Sequence, residues 1–289
     1  MTDVAMELLD LLDIEQLEVD LFRGIGSGGE TTTRIFGGHV IAQALAAAYH
    51  TVPDRLCHSL HAYFIRPGDP AIPVIYQVDR ARDGGSFTTR RVVAIQHGKQ
   101  ILNLSASFHI DEEGWNYQHP MPKVDGPDGL QNRAEQRADY AEQVPEPLRP
   151  DFLRPRPIEI REVAPRDLLN PVPVDDVNHL WFRMEHAKDA SPQMQQILLA
   201  YASDMNLLGS SLRPHGLTWF KREVMSASLD HAMWFHAPIQ FDNWHLYTMD
   251  SPFTGGARGF NRGAIYAADG TLVASTAQEG LVRPYRPKS

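Results

Sequence analysis

A run of apolar residues from Pro192 to Gly209 constrains the fold more strongly than any other stretch of the chain. The run, PQMQQILLAYASDMNLLG, is apolar on nearly every side of a helix, is too long for a single strand and is too short to cross a bilayer. It therefore predicts a buried helix. Ser191 is suited to the N-cap and Pro192 to the first helical position, while Gly209 is expected to end the helix.

Asp204 is the charged residue of that run. Along a helix it shares a stripe with Ala200, Tyr201 and Leu208, which lie three or four positions away. A carboxylate that is buried without hydrogen bonds destabilises the fold or becomes neutral. Asp204 is therefore either a hydrogen-bonded scaffold residue or a reactive group, and residue type alone favours the scaffold.

The predicted elements occur twice along the chain. The first copy has an acidic helix, strands in LEVDLFRG and TTTRIFGG, and an Ala-rich helix in HVIAQALAAAYH; four strands follow, in HSLHAYFIRPG, IPVIYQVDRARDGG, SFTTRRVVAIQHGKQ and ILNLSASFHI. In the second copy, IEIREV and HLWFRMEH replace the first two strands and the 192–209 helix replaces the Ala-rich one. SLDHAMWFHAP then repeats SLHAYFIRPGD, and FTGGARGFNRGAIYAADGTLVASTAQEGLVR repeats the last two strands. A repeat as large as a domain predicts two copies of one fold.

The residues between the two copies have a different composition. From Asp111 to about Pro157 the chain is rich in Pro, Gly, Glu and Gln, with a short helix predicted near Asn132 to Gln143. We therefore predict an N-terminal domain at 1–112, a linker or lid at 113–157 and a C-terminal domain at 158–289.

Charge and cysteine content narrow the class of protein. The net charge of −9 disfavours nonspecific binding to nucleic acids or anionic membranes. Cys57 is the single cysteine, so neither an intramolecular disulfide nor a cysteine-based zinc cluster is expected. The acidic first helix lacks the basic flank of a signal peptide, and no apolar run is long enough for a membrane span. We expect a cytoplasmic protein without membrane insertion.

The motifs FGGHVIAQAL, HSLHAYFIRPGD, YASDMNLL, SLDHAMWFH and AIYAADGTLVASTAQEG resemble those of type II acyl-CoA thioesterases. The resemblance runs over nearly the whole chain outside the linker. It implies an α+β double-hotdog fold, in which each of two repeats is an antiparallel sheet wrapped round one long helix. It also implies hydrolysis of fatty acyl-CoA to free fatty acid and CoA.

The resemblance further implies a catalytic group of Asp204, Ser228 and Gln278, which jointly activate a water. The family usually has Thr where this chain has Ser228; the hydroxyl is kept and a methyl is lost. Without the resemblance, Ser228 is an ordinary loop hydroxyl and Gln278 an ordinary strand residue. Thioester hydrolysis needs an activated water and a site for the developing oxyanion.

Aligning the repeats places Gln43 opposite Asp204 and Ser107 near Gln278, which predicts one active site per chain. The helix start at Gly37, Gly38 and His39 is a candidate substrate-binding site, because free N–H groups and the helix dipole there favour a polarised carbonyl. An equally good explanation of Gly37 and Gly38 is structural: the absence of a side chain lets a strand and the helix approach closely.

No metal or cofactor is expected. His58 and His61 fall on opposite faces of a strand, as do His231 and His236, so neither pair converges on a metal. The chain also lacks the Gly-x-Ser-x-Gly motif of serine esterases.

Arginines are the natural partners of the CoA phosphates. The candidates from sequence are Arg66, Arg90, Arg91, Arg258 and Arg262, although residue type alone favours an ordinary solvated arginine at each position. The expected ligand is acyl-CoA, and homo-oligomers of double-hotdog units are expected. Two alternatives stay open, a noncatalytic acyl-CoA sensor and a hotdog enoyl-CoA hydratase; the hydratase would need a His after Asp204 in the same helix.

Overall fold

The structure is a computed structural model and describes residues 2–26, 34–221 and 223–285. In these parts of the chain, thirteen strands form one antiparallel sheet. The strands of the first half are β1 Glu15–Glu18, β2 Leu21–Gly24, β3 Leu56–Phe64, β4 Val74–Asp83, β5 Phe87–Gln96 and β6 Lys99–His109. Those of the second half are β7 Glu159–Glu162, β8 Asn178–Arg183, β9 Val224–Ser228, β10 Asp230–Phe235, β11 His245–Gly255, β12 Arg258–Ala267 and β13 Leu272–Pro284.

The order of the strands shows the internal repeat directly. The sheet runs β1-β2-β4-β5-β6-β3 and then β10-β13-β12-β11-β8-β7, so the second half repeats the first in reverse order, while β9 pairs with β13. The halves join where β3 pairs with β10, with His61 opposite Ala232 and Ala62 opposite His231. The predicted α+β double-hotdog fold is confirmed.

Five α-helices accompany the sheet in the described chain. They are α1 Thr2–Leu12, α2 Gly37–Tyr49, α3 Arg133–Asp139, α4 Arg149–Phe152 and α5 Pro192–Ser203. Helices α2 and α5 are buried and pack against each other in opposite directions, because Gly38 lies at Tyr201 near one end and the Tyr49 hydroxyl donates to Gln196 near the other. These two helices form the centre of the core, as the apolar runs predicted.

Helix α5 begins where predicted but ends earlier. The Ser191 hydroxyl caps it by accepting from the Met194 N–H at 3.2 Å, and Pro192 occupies the first turn. The helix stops at Ser203 and Asp204 is its C-cap residue; the backbone then turns at Asn206, which has a φ of 68°. The run stays apolar beyond this point because a buried 3₁₀ helix, Leu207–His215, follows. The predicted stop at Gly209 is therefore wrong.

Two other local predictions differ from the structure. LEVDLFRG forms two short strands, β1 and β2, because Asp20 has a φ of 59° and turns the chain between them. In TTTRIFGG, residues 31–33 lie outside the described chain, and the described residues 34–36 lead into α2 without forming a strand. The N–H of Ile35 instead donates to the Gly68 carbonyl at 3.0 Å.

The segment between β6 and β7 contains the predicted short helix. Asn132 and Glu135 form a capping box at the start of α3. Upstream of this helix, Met121, Val124 and Leu130 pack against a cluster of Trp181, Leu246 and Tyr266 on the second half of the sheet. The linker is thus attached to the second half, while the domain limits at residues 112 and 157 stay a prediction.

Candidate active site

A cavity of about 1370 Å³ lies beside the C-terminal end of α5. Asp204 and Ser228 line it, as does Gly37 at the start of α2. Linker residues from Asn132 to Pro157 contribute a further part of its wall. The cavity therefore lies where the two repeats and the linker meet.

The Asp204 carboxylate accepts hydrogen bonds from three sides. Its Oδ1 accepts from Ser228 Oγ at 3.2 Å and from Gln278 Nε2 at 2.5 Å, while its Oδ2 accepts from the Gly38 N–H at 2.9 Å. Asp204 is only 9% exposed, and hydrogen bonds to a buried carboxylate satisfy its charge. The structure thus brings Asp204, Ser228 and Gln278 together; their catalytic role stays a prediction at this point.

Strand pairing places the two partners of Asp204. Ser228 is the last residue of β9 and lies opposite Gly280 of β13, two residues beyond Gln278 on the same strand. Gln278 is fully buried and does not line the cavity, so it contacts Asp204 from the protein interior. A direct contact between Gln278 and the attacking water stays a prediction.

His231 extends this hydrogen-bond network behind Gln278. Burial lowers the pKa of the His231 imidazole, although the nearby Asp204 charge raises it, so the ring is neutral near pH 7. Its Nδ1 lies 3.3 Å from Gln278 Nε2 and its Nε2 lies 2.9 Å from Ser203 Oγ. Because Gln278 donates, Nδ1 accepts and Nε2 carries the proton toward Ser203, whose hydroxyl donates to the Ala200 carbonyl at 2.9 Å. The chain of bonds orients Gln278.

Sequence reasoning missed His231 as part of the site. The spacing between His231 and His236 bears on metal binding and gives no information about hydrogen bonds to an amide. Alternation along β10 puts His231 on the buried face together with Met233 and Phe235. A histidine on the apolar face of a strand, opposite the strand that carries Gln278, was the available signal.

The start of α2 supports both explanations of its glycines. A Cβ on Gly37 would lie 2.6 Å from Asp204 Oδ2, and one on Gly38 would lie 2.3 Å from the Tyr201 carbonyl oxygen. The glycines thus allow the close approach, and the Gly38 N–H is also a donor to the carboxylate. His39 is buried and does not line the cavity, and burial lowers the pKa of its imidazole to about 4.

Gln43 is not the structural counterpart of Asp204. It lies in the middle of α2, whereas Asp204 is the C-cap residue of α5. Gln43 Nε2 donates to the carbonyls of Leu11 and Ile25, and its Oε1 accepts from the Tyr76 hydroxyl. The alignment was wrong because α5 ends earlier than the sequence suggested. Ser107 likewise bonds to His58, at 2.8 Å, and takes no part in the Asp204 network.

The lining of the main cavity combines apolar and cationic surfaces. The apolar part from the first repeat includes Ile35, Phe36, Val40, Phe64, Ile101 and Leu102. The cationic part consists of Arg34, Arg66, Arg133, Arg137, Arg154, Arg156 and Arg283, against the carboxylates of Asp151, Glu159, Glu185 and Asp204. Of the five arginines proposed from sequence, Arg66 alone lines the cavity. An excess of positive charge in a chain of net charge −9 favours an anionic ligand at this place.

Two further features concern other kinds of site. Across residues 2–26, 34–221 and 223–285, no His, Cys, Asp or Glu side chains group in threes as metal ligands would. Within the same residues, no helix combines the length and apolarity of a membrane span. The absence of a metal cofactor stays an expectation.

Family models match both halves of the chain. The model described as acyl-CoA thioesterase matches residues 155–281, and the model described as acyl-CoA thioesterase N-terminal domain matches residues 27–109. The two matched regions correspond to the two repeats of the sheet and leave out most of the linker.

Individual relatives match over nearly the full length. Acyl-CoA thioesterase 2 of Haemophilus influenzae is 37% identical over 284 residues, which is 98% of this chain and 99% of the relative. Human acyl-coenzyme A thioesterase 8 is 38% identical over 289 residues, covering 94% of this chain and 88% of the relative. Among solved structures, an acyl-CoA thioesterase II from Mycobacterium marinum is 38% identical and has a TM-score of 0.78, covering 98% of this chain and all of that one.

Proposed function

The chain belongs to the acyl-CoA thioesterase family, and we propose that it hydrolyses fatty acyl-CoA with a water activated at Asp204. As a member of this family, the protein is a thioester hydrolase. The finer proposal concerns the roles of Asp204, Ser228 and Gln278. The observation that supports it best is a carboxylate with three hydrogen-bond donors, at the wall of a large cavity that is both apolar and cationic.

In the proposed first step, Asp204 takes a proton from a water while the water oxygen attacks the thioester carbonyl carbon. Ser228, which lines the cavity, orients the water beside the carboxylate. Gln278 is a positioning residue that fixes Asp204 from the interior, and His231 in turn orients Gln278. Orientation must supply much of the rate because an ordinary Asp is a weak base near neutral pH.

The negative charge of the tetrahedral intermediate falls on the former carbonyl oxygen. The N-terminus of α2 favours that charge, because its first N–H groups have no partners within the helix and the dipole is positive there. Gly37 and Gly38 are the proposed substrate-binding residues at this position; the Gly38 N–H, which donates to Asp204 in the free protein, becomes available to the oxyanion once Asp204 has taken the proton. Collapse of the intermediate breaks the C–S bond, and the proton held by Asp204 passes to the leaving CoA thiolate, so the products are a fatty acid and free CoA.

Thiol release from short, medium and long acyl-CoA thioesters, measured without added metal, tests this function. We expect free CoA to appear in proportion to the enzyme, with no requirement for a metal or cofactor. Tight binding of acyl-CoA with no thiol release across the series would contradict the proposal and favour the noncatalytic sensor. Addition of water to an enoyl-CoA with the thioester left intact would favour the hydratase. The cytoplasmic location and the homo-oligomer of double-hotdog units remain predictions.

A further inference from the structure

A second, smaller cavity adjoins the main one beside helix α3. Arg133 and Arg137, one helical turn apart, line both cavities. The smaller cavity has a volume of about 110 Å³. Pockets for drug-sized ligands begin at roughly 300 Å³, so this cavity suits a group the size of a phosphate and not a whole nucleotide.

The smaller cavity carries an excess of positive charge. Its arginines are Arg133, Arg137, Arg166 and Arg213, and its carboxylates are Glu162 and Asp167. Glu162 forms an ion pair with Arg133. Asp167 accepts the backbone N–H groups of Leu169 and Asn170. Arg213 also pairs with Asp175, which lies outside the lining of this cavity. The lining still holds four arginines against two carboxylates, an excess that favours a bound anion.

Arg166 provides a donor for such an anion. Its Nη1 is buried and has no hydrogen-bond partner among the residues that the structure describes. Burial and the neighbouring charge of Arg213 lower the pKa of its guanidinium, against the opposing effect of Glu162. An unpaired buried N–H destabilises a protein, whereas a phosphate oxygen in the same place would make a charge-assisted hydrogen bond.

Exposed aromatic rings stand between the two cavities. Trp219 and Phe220 line both cavities and are 46% and 39% exposed. Trp219 Nε1 donates to Ser226 Oγ at 2.8 Å, and Phe220 packs edge-on against Phe152 at 5.2 Å. Exposed rings that are held in place beside arginines form a platform on which a nucleic acid base stacks.

We propose that the smaller cavity binds the 3′-phosphate of CoA while the adenine stacks on Trp219. This inference rests on the proposed function, because it assumes a CoA thioester. The 3′-phosphate is a monoester, so it can enter a small side cavity, whereas the diphosphate is esterified at both ends and must lie along a passage. A phosphate monoester carries a charge of roughly −1.5 to −2 at pH 7, which complements the arginines.

The position of the cavity fits a substrate that reaches the catalytic site. Asn206 lines both cavities, lies two residues beyond Asp204, and accepts from Arg133 at 2.7 Å. The pantetheine arm would run along the main cavity from Arg133 toward Asp204. Through Arg133 and Arg137, helix α3 of the linker would therefore take part in binding CoA. Its position between the two repeats did not suggest this role.

Paired substrates that differ only in the 3′-phosphate test this inference. For the wild-type protein, kcat/KM for acyl-CoA should exceed kcat/KM for the matching acyl-dephospho-CoA by about tenfold or more. The difference should lie mainly in KM. Arg166→Gln should remove most of that preference by lowering kcat/KM for acyl-CoA, and should change the dephospho substrate less than about twofold. Arg166→Lys, which keeps the charge, should retain part of the preference.

Arg262→Gln is the matched control. Arg262 is paired with Asp250 and lines neither cavity, so its substitution should leave the preference unchanged. Equal losses for both substrates in Arg166→Gln would assign Arg166 a structural role and overturn the inference. A wild-type protein that treats the two substrates alike would also overturn it.

Binding gives a readout that does not depend on hydrolysis. In calorimetry, adenosine 3′,5′-bisphosphate should bind the wild-type protein about tenfold or more tightly than 5′-AMP. Trp219→Ala should weaken binding of the bisphosphate about fivefold or more, and an unchanged thermal unfolding curve shows that the variant is folded. If the protein prefers the bisphosphate but hydrolyses no acyl-CoA, the proposed function alone is contradicted. Hydrolysis of acyl-CoA without this preference would contradict the cavity assignment alone.

Discussion

Gly37→Ala tests how strictly the position of Asp204 depends on the start of α2. The new Cβ would lie 2.6 Å from Asp204 Oδ2 and 2.9 and 3.0 Å from two ring atoms of Phe64, whereas ordinary contacts between non-bonded carbon atoms are about 3.5 to 4.0 Å. The carboxylate must therefore move by roughly 1 Å, and it can do so only by weakening its bonds to Gly38, Ser228 or Gln278.

The expected result is a large loss of turnover with a modest loss of stability. A displacement of about 1 Å in a catalytic group lowers the rate on the order of 100-fold. Overpacking destabilises a fold by about 1 to 3 kcal/mol, which in a protein of this size is a fall in Tm of roughly 2 to 12 °C. Thiol release gives the rate, and thermal unfolding gives the Tm.

Gly85→Ala is the matched control for this substitution. No heavy atom lies within 4 Å of a Cβ built on Gly85, so we expect turnover within about twofold of wild type and less than 1 kcal/mol of change in stability. Equal turnover in Gly37→Ala and Gly85→Ala would refute the argument that helix α2 holds the carboxylate in its reactive position.

Two further predictions concern the network and its surroundings. Ser228→Ala should lower kcat about tenfold or more through loss of a bond to a charged group, while Ser228→Thr should stay within about threefold; equal losses in thiol release would count against a role for the hydroxyl. His39 is buried with a pKa near 4, so below the unfolded pKa of about 6.5 the unfolded chain takes up a proton that the folded chain does not. Its contribution to stability is complete above pH 6.5 and falls by about 2 kcal/mol by pH 5. In urea unfolding at pH 7.5 and 5.0, His39→Asn should show a smaller acid loss than wild type; the same loss in both would contradict this explanation.

Most of the fold could be predicted because its signals are local and repeated. Apolar runs such as 192–209 identify the two buried helices, and period-two alternation identifies the long strands. The end of α5 could not be predicted from apolarity, since the 3₁₀ helix Leu207–His215 is also buried. The turn depends on the left-handed backbone conformation of Asn206. Asn tolerates this conformation but does not always adopt it, so the residue type alone does not predict the turn.

The candidate site was predictable only in part. Asp204 was detectable as a charge inside an apolar run, but Ser228 and Gln278 came from resemblance alone. Their meeting depends on the pairing of β9 with β13, a long-range contact that no local pattern encodes. Most arginines of the main cavity could not be predicted, because the path of the linker decides which of them face the cavity. The helix that carries Arg133 and Arg137 was predicted, for example, but the elements that it packs against were not.

Asp204→Asn, followed by thiol release from an acyl-CoA, tests the central claim most directly. Asn keeps the shape of the side chain but cannot accept the proton of the water, so kcat should fall on the order of 100-fold or more. KM and the circular dichroism spectrum should change little. Asp54→Asn changes an exposed carboxylate beside the largely buried Arg55; it is the control and should keep wild-type turnover. Near-normal turnover in a folded Asp204→Asn protein would contradict the account and would leave Asp204 as a scaffold residue.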